Sequence, residues 1–450
     1  MAGLACCGSF IQTRRSELVF IGPRGRPKSQ SHSMKRLQLQ PTSASPAPAL
    51  EDDDLLAEFL LRLPPQPSTL PRVGLVCKRW RRLVTDPRFV RRFRAFHRRT
   101  PPLHGFIMRS GLFFPTQEPP DRLPPSRFWR DRWCGEPDFQ YHWGVHCCRH
   151  GLVLCCRGGE EEFASEFIVV DPVTTGHRSR RRVGILQHEG AYLVASTVVS
   201  VAGGGADRRA FLVVALLAHD YETRLTASVY SSESGAWASS DSDAAVVPPS
   251  PVIPLLQPSS LVGNAIYWFL FDGEIVRFDL GRRRLSMIEQ RPRPPDVPPG
   301  RPDVQVPWIN LDFRSWILPA AGDGDGHGRR FCLAVLSRRS IEFWEREAEL
   351  SDDDDDDDDA AAAKKWVLCR TVQLEKVLPV KLEEHAQTTM LLPLPLPLGI
   401  SGFDEESNAI FVWTDDGVFM SDIESTTTMQ FKKVLDRQIT RCYLHPYSSV

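Results

Sequence analysis

Apolar positions fall into a regular rhythm only from about residue 50 onward. Residues 1–49 show no sustained period, and from Gly22 to Ala49 they are rich in Pro, Ser, Arg and Gln. A segment of that kind cannot bury enough apolar surface to offset the entropy of ordering it, so a disordered tail is expected. Leu55, Leu56, Phe59, Leu60 and Leu63 then sit at i, i+1, i+4, i+5 and i+8. This spacing lines one face of a helix, with Glu51 to Asp54 supplying acids at its N-terminal end and Pro64-Pro65 stopping it. A second helical pattern runs through Val73, Val76, Cys77, Trp80, Leu83 and Val84, with Pro71 suited to its first turn. A third opens at Asp86-Pro87, a capping residue followed by Pro at the first helical position, and places Phe89, Phe93 and Phe96 between arginines. Three short helices are therefore predicted within residues 50–99.

After Pro101-Pro102 the period changes from helical to alternating. The clearest unit is the run Ala265 to Phe271, then Asp272-Gly273, then Glu274 to Leu280, two β-rich segments joined by an Asp-Gly turn. A related unit follows 144 residues later, where Asn408 to Trp413 and Asp416-Gly417 echo Asn264 to Trp268 and Asp272-Gly273. Further hairpins are predicted for Gly151–Cys156 with Glu166–Asp171, Ala210–Leu217 with Thr226–Ser231, and Phe331–Leu336 with Ser340–Glu345. Strands recurring over about 340 residues with almost no long helical pattern point to a radially repeated all-β fold, a propeller with ~40–50 residues per blade. Even division gives about seven blades before insertions are discounted. Insertions are expected near 292–307 (Pro-rich), 322–328 (Gly-Asp) and 351–363 (an Asp run followed by alanines).

Composition is that of a globular chain, with 42% hydrophobic and 25% charged residues. The longest apolar runs free of Pro and Gly, Phe211 to Ala218 and Ala265 to Phe271, are strand-sized, so a bilayer-spanning helix is not expected. The net charge of −1 averages unlike segments: 7 basic and 1 acidic residues in 1–49, 12 and 6 in 50–99, and 36 and 49 in the remainder. Eight of the last acids form one block, Asp352 to Asp359. The eleven cysteines, several adjacent, and no secretory signal suggest a reducing intracellular compartment, cytoplasm and/or nucleus.

Several constellations invite chemistry. Cys134, His142, His146, Cys147, Cys148, His150, Cys155 and Cys156 crowd into 23 positions, and thiolates and imidazoles are the ligand types of a zinc site. No Cys-x-x-Cys pair is among them and adjacent strand residues point to opposite faces, so structural cysteines are expected, with no metal and no cofactor. Arg24, Gly25, Arg26 and Pro27, within Pro23 to Lys28, match the core of an AT-hook, which lays arginines in the narrow minor groove of A·T-rich DNA. The same tail is acid-poor and Arg/Ser-rich like a transit segment, and Met34 is an alternative start. The arginines from Arg88 to Arg99 with Phe89, Phe93 and Phe96 read as a core stripe with a solvated face rather than a nucleic-acid surface. The Asp352 to Asp359 run lacks the Gly and terminal Glu of a calcium loop and reads as a self-repelling solvated loop. Motifs for a nucleophile elbow, a phosphate loop or a zinc protease are absent, which leaves a propeller enzyme as the class to exclude.

One module carries a resemblance. Leu50-Glu51-Asp52-Asp53-Asp54-Leu55-Leu56-Ala57-Glu58-Phe59-Leu60-Leu61-Arg62-Leu63-Pro64, then Val76-Cys77-Lys78-Arg79-Trp80-Arg81-Arg82-Leu83-Val84, then Asp86-Pro87-Arg88-Phe89, closely resembles the F-box, with Glu51 where that family usually has Pro. The remainder is similar to the C-terminal F-box-associated region of plant F-box proteins. Cys148-Arg149-His150-Gly151-Leu152-Val153-Leu154, Val170-Asp171-Pro172-Val173-Thr174, the Asn264 to Leu280 hairpin, and Gly417-Val418-Phe419-Met420 with Phe431-Lys432-Lys433-Val434 carry that likeness in order. The expected fold is α+β multidomain: a disordered basic tail at 1–49, a small three-helix F-box at 50–99, and a mainly antiparallel all-β propeller-like domain at 100–446. The resemblance implies a non-catalytic substrate-recognition subunit of an SCF-type ubiquitin ligase. Its partners would be a Skp-type adaptor, a cullin scaffold reached through the adaptor, and a target protein, with no membrane and no nucleic acid. Leu50, Leu55, Leu56, Phe59, Leu60, Leu63, Pro64, Val76, Cys77 and Trp80 are the candidate adaptor-binding residues, because three helices of this length build little core alone and leave apolar residues for a partner. The alternative is a chromatin-associated scaffold that uses the AT-hook-like tail.

Overall fold

The computed structural model describes residues 52–97, 101–128, 143–158, 164–173, 180–188, 190–201, 210–219, 224–239, 257–270, 274–288, 314–320, 330–337, 339–347, 366–379, 398–423, 429–436 and 443–449. The predicted tail at 1–49 and the predicted insertions at 292–307, 322–328 and 351–363 lie outside these residues.

The helical segment contains four helices: α1 (Asp53–Leu61), α2 (Thr69–Gly74), α3 (Lys78–Thr85) and α4 (Pro87–His97). Asp53 and Asp54 occupy the first turn of α1, where carboxylates complement the helix dipole. The second predicted helix is in fact two. Cys77 takes an extended conformation (φ −160°) and its sulfur accepts the Trp80 N–H at 3.5 Å, which ends one helix and caps the next. Pro71 does fall in the first turn of α2, and Asp86 caps α4, its Oδ1 accepting the Arg88 N–H at 2.6 Å. Leu56, Leu60, Val73, Val84, Phe89 and Phe93 form the buried stripe, and His97 Nε2 bonds the Leu61 carbonyl at 2.8 Å inside it. Phe96, expected in the stripe with Phe89 and Phe93, is exposed instead, because His97 takes the inward position one residue on.

A six-blade antiparallel β-propeller follows. It begins with β1 (Leu103–Met108) and β2 (Phe113–Pro115). The second blade holds β3 (Gly144–Arg149), β4 (Leu152–Gly158), β5 (Ala164–Val170) and two outer pieces, β6 (Arg180–Arg182) and β7 (Leu186–Gln187). The third comprises β8 (Ala191–Val201), β9 (Ala210–His219), β10 (Arg224–Ser231) and β11 (Ala236–Ser239). The fourth comprises β12 (Ser260–Val262), β13 (Ala265–Phe269), β14 (Ile275–Asp279) and β15 (Arg284–Ile288). The fifth comprises β16 (Ser315–Pro319), β17 (Arg330–Ser337), β18 (Ser340–Glu347) and β19 (Val367–Gln373), the last followed by one helical turn. The sixth comprises β20 (Leu398–Asp404), β21 (Ala409–Thr414), β22 (Gly417–Asp422) and β23 (Lys432–Leu435). The final strand, β24 (Leu444–Ser448), returns to pair antiparallel with β1 and so completes the first blade.

Each predicted hairpin is present as an antiparallel pair: β4 with β5, β9 with β10, β13 with β14, and β17 with β18. The internal echo is structural as well, since Ala265 faces Asp279 as Ala409 faces Asp422. The Asn264 and Asn408 carbonyls accept the N–H of Leu280 and Ile423 in the two blades. The even division into about seven blades does not hold. Inner strands begin at Gly144, Ala191, Ser260, Ser315, Leu398 and Leu444, a spacing of 46 to 83 residues, because long connections such as 289–313 and 380–397 separate the blades.

Alternation along the strands sends side chains to both faces of each blade, and the core lies between blades. Cys147, Phe167 and Val213 join the second blade to the third, Val229 and Phe278 the third to the fourth, and Tyr267 and Phe331 the fourth to the fifth. Phe106, Phe411 and Leu444 share a core that spans the fifth, sixth and first blades. Close approach of inner strands explains Gly402, where a Cβ would lie 2.6 Å from the Leu444 carbonyl oxygen.

Closure rests on β24, whose Tyr447 is fully buried and meets the Phe128 ring edge-on at 5.1 Å. Tyr447→Ala is expected to lower the unfolding free energy by about 3–5 kcal/mol, as for other buried aromatic truncations, which denaturant titration would measure.

Candidate functional site: an apolar helical surface and a polar axis

The predicted adaptor-binding residues separate into two groups. Leu56 and Leu60 are buried within the helices' own core, whereas Leu55 and Phe59 are 48% and 56% exposed. The single face expected for Leu55, Leu56, Phe59, Leu60 and Leu63 is therefore divided, because Ala57 and Leu61 take inward positions beside Leu56 and Leu60 and rotate the buried stripe by one residue. Leu63 and Trp80 are half-buried, Pro64 and Cys77 are exposed, and Val76 is 62% exposed in the turn between α2 and α3. Leu50, Arg24, Gly25, Arg26 and Pro27 lie outside the described residues. Two exposed apolar residues were not among the candidates, Leu75 at 77% and Phe96 at 55%. Leu75 stands beside Val76 at the end of α2, outside the helical period that was used to find the others.

Salt contacts hold these helices to one another rather than cover that surface. Arg79 Nε donates to Asp53 at 2.7 Å, and Arg92 pairs with Glu58 across α1 and α4. A hydrogen bond of 2.7 Å runs from the Ser68 N–H to Asp121, in the segment after β2.

The propeller brings together a second set that sequence reasoning passed over. Arg149, the last residue of β3, is buried and donates Nε and Nη2 to Glu405 at 2.5 and 2.8 Å. Its Nη2 also reaches the Ser259 carbonyl at 2.9 Å, and Nη1 donates to Thr197. Glu405 in turn accepts the Leu261 N–H at 2.6 Å. One ion pair thus ties the second, third, fourth and sixth blades at the propeller axis. Burial opposes charge on Arg149, but the neighbouring Cys147 sulfur and the Glu405 carboxylate more than offset it, and its pKa is raised. Beside the pair a cavity of about 30 Å³ is lined by Asp404, Glu406, Trp316 and His445, which is room for about one water. Asp404 is buried, and that burial raises its pKa even though Ser448, Ser407 and the Glu406 N–H donate to it.

Two histidines near the closure are buried and held neutral. Burial pushes His445 down to about 3, with Arg109 and Arg149 adding repulsion. Burial also lowers His104, against the Ser449 carbonyl and Asp121, which favour its charge. Of the cysteines considered as zinc ligands, Cys147 and Cys156 lie in the core between the second and third blades, and Cys155 in that between the first and second. Neighbouring positions therefore face opposite sides of one sheet. Burial raises the Cys155 thiol and pushes the Cys156 thiol up to about 12. Cys134 and His142 lie outside the described residues.

An F-box-like helical region followed by a six-blade antiparallel propeller defines the class of protein. Residues 53–95 match the F-box-like family, the stretch that forms α1 to α3 and all but the last two residues of α4. Among curated proteins none matches the chain. Among solved structures the chain is similar to Saccharomyces cerevisiae Sqt1, at 9% identity over 65% of this chain and 63% of that one, TM-score 0.32. It is also similar to prolyl oligopeptidase B from Galerina marginata (8%, 66% and 38%, TM-score 0.31) and to the α-L-arabinofuranosidase arb93a from Fusarium graminearum (7%, 64% and 79%, TM-score 0.30). The chain thus spans less than two thirds of the first two, and likeness at these TM-scores carries no functional weight. Among the described residues no helix is long and apolar enough to cross a membrane.

Arg149→Met is expected to cost about 3–5 kcal/mol by leaving Glu405 unpaired, and the double variant Arg149→Met/Glu405→Met to recover most of that loss, as read by a denaturant double-mutant cycle. Stability is also expected to respond to acid. His104 and His445 have folded pKa values below the ordinary 6.5, so their contribution is complete above that pH and is lost as pH falls below it. Melting temperature measured from pH 7 to pH 5 should fall, and should fall less in His445→Gln.

Proposed function

We propose that this chain is the substrate-recognition subunit of an SCF-type ubiquitin ligase, a non-catalytic receptor that links a target protein to the ligase core. The observation that carries the reading is a coincidence of place. The stretch matching the F-box-like family, residues 53–95, leaves Leu55, Phe59, Leu75 and Val76 exposed, with exposed Phe96 directly after it. A module this small cannot bury all its apolar side chains, and those left outside become favourable once a partner covers them. In this reading Leu55, Phe59 and Val76, with Leu63, Pro64, Cys77 and Trp80 at their margin and Leu50 extending the set, meet a Skp-type adaptor. Leu56 and Leu60 hold the helices in shape from inside. The adaptor joins a cullin scaffold, and the propeller, closed on itself by β24 and the Arg149–Glu405 pair, presents its loops to the target.

Because Phe59 and Val76 are exposed, the reading is testable at these two positions without unfolding the module. Phe59→Asp combined with Val76→Asp should weaken binding to a Skp-type adaptor by at least roughly a hundredfold in calorimetry, with the melting temperature unchanged. Leu55→Asp with Trp80→Ala should abolish co-purification. Undiminished adaptor affinity in the folded Phe59/Val76 variant would contradict the proposal.

A further inference from the structure

The cavity beside the Arg149–Glu405 pair runs inward from one end of the propeller. His150, Glu405 and Glu406, in the turns that follow β3 and β20, are half-buried at its rim, whereas Cys147, Leu444 and His445 are buried farther in. It therefore opens where β3 and β20 end. His445 lines it and is 4% exposed, and among the described residues its ring nitrogens have no hydrogen-bond partner. Burial keeps the ring neutral, with Arg109 and Arg149 repelling a proton, so one nitrogen remains an acceptor. A buried acceptor left unmet costs free energy, and the space beside it calls for a donor.

The charge of the lining sets the sign of that donor. Asp404 and Glu405 share the cavity with one guanidinium, Arg149, whose nitrogens are already directed at Glu405, Thr197 and Ser259. When ionised, these three groups sum to one negative charge. Glu406 stands outside that balance because it has contacts of its own. Asp404 accepts from neutral donors, the Ser407 and Ser448 hydroxyls and the Glu406 N–H. Among the described residues no three His, Cys, Asp or Glu side chains are grouped as a metal ion would require, which directs the choice to an organic cation. The room of about 30 Å³ takes one water-sized group. An ammonium head is of that size and carries three donors, whereas a guanidinium is planar and larger. Trp316, Pro258 and Pro446 supply apolar wall against which a methylene stem can lie.

We propose that this axial cavity binds the ammonium head of a lysine side chain presented by the target protein, with Asp404 and His445 accepting its hydrogen bonds. The lysine neutralises the excess carboxylate and meets the buried imidazole in one step. That it comes from a target rests on the receptor role proposed for the chain, whereas the pocket belongs to the propeller alone.

The probe is a capped pentapeptide, acetyl-Gly-Gly-Lys-Gly-Gly-amide, titrated into the full chain without adaptor and followed by saturation-transfer NMR. Binding should saturate with a Kd on the order of a millimolar. The same peptide with acetyl-lysine, norleucine or arginine at its centre should bind at least about tenfold more weakly. Asp404→Asn, which keeps the shape and removes the charge, and His445→Leu, which removes the acceptor, should each weaken the lysine peptide by at least about tenfold. Should either variant shift the melting temperature, the wild-type chain locates the site instead: with a photo-reactive leucine after the lysine, the peptide should label residues 148–151, 258–259 or 404–406 on irradiation, read by mass spectrometry. Equal binding of the lysine and acetyl-lysine peptides, undiminished binding in the folded variants, or labelling elsewhere would overturn the proposal. A chain that binds adaptor but ignores the lysine peptide overturns this proposal alone, and one that binds the peptide but no adaptor overturns the receptor role alone.

Discussion

The Arg149–Glu405 pair is the interaction around which the propeller is organised. A ring of blades has no covalent closure, and its inner strands converge on an axis where polar ends must find partners without much water. A guanidinium suits that place because its donors are fixed in a planar fork and its charge cannot be lost. Arg149 spends Nε and Nη2 on Glu405, Nη2 on the Ser259 carbonyl and Nη1 on Thr197, so four blades share one buried cation. Burying such a pair gains little net energy compared with an apolar core. What it confers is register, because each blade must stand at the right height for the fork to be filled.

The second closure is of another kind. β24 brings the end of the chain to β1 through backbone hydrogen bonds, with Tyr447 and Phe106 packed behind it. The polar axis and the terminal ladder meet at Asp404, which accepts from Ser448 at 2.6 Å one residue before Glu405. The helices stand apart from this arrangement. Their core is small, ion pairs with arginines bind helix to helix, and Leu55, Phe59, Leu75, Val76 and Phe96 stay exposed. The two parts differ in scale: the propeller has extensive cores between its blades, whereas the helices have one small core.

Much of this was legible from the order of residues wherever a local rule sufficed. Asp86-Pro87 announces α4, alternation announces each hairpin, and the echo of Asn264 at Asn408 marks equivalent corners of two blades. What escaped reading depended on distance or on one residue's step around a helix. Cys77 breaks the second helix through its own backbone, which periodicity does not register. The difference between buried Leu60 and exposed Phe59 is one step around a helix, decided by Ala57 and Leu61. Blade number was obscured because connections of unequal length stretch the repeat. Arg149 lay inside a quoted motif, yet its partner is 256 positions away and no local signal joins them.

The most direct test of the account is whether the purified full chain forms a stoichiometric complex with a purified Skp-type adaptor, measured by size-exclusion chromatography with light scattering. The account predicts a single one-to-one species with the mass of both chains. Separate elution of the two proteins at micromolar concentration would contradict it.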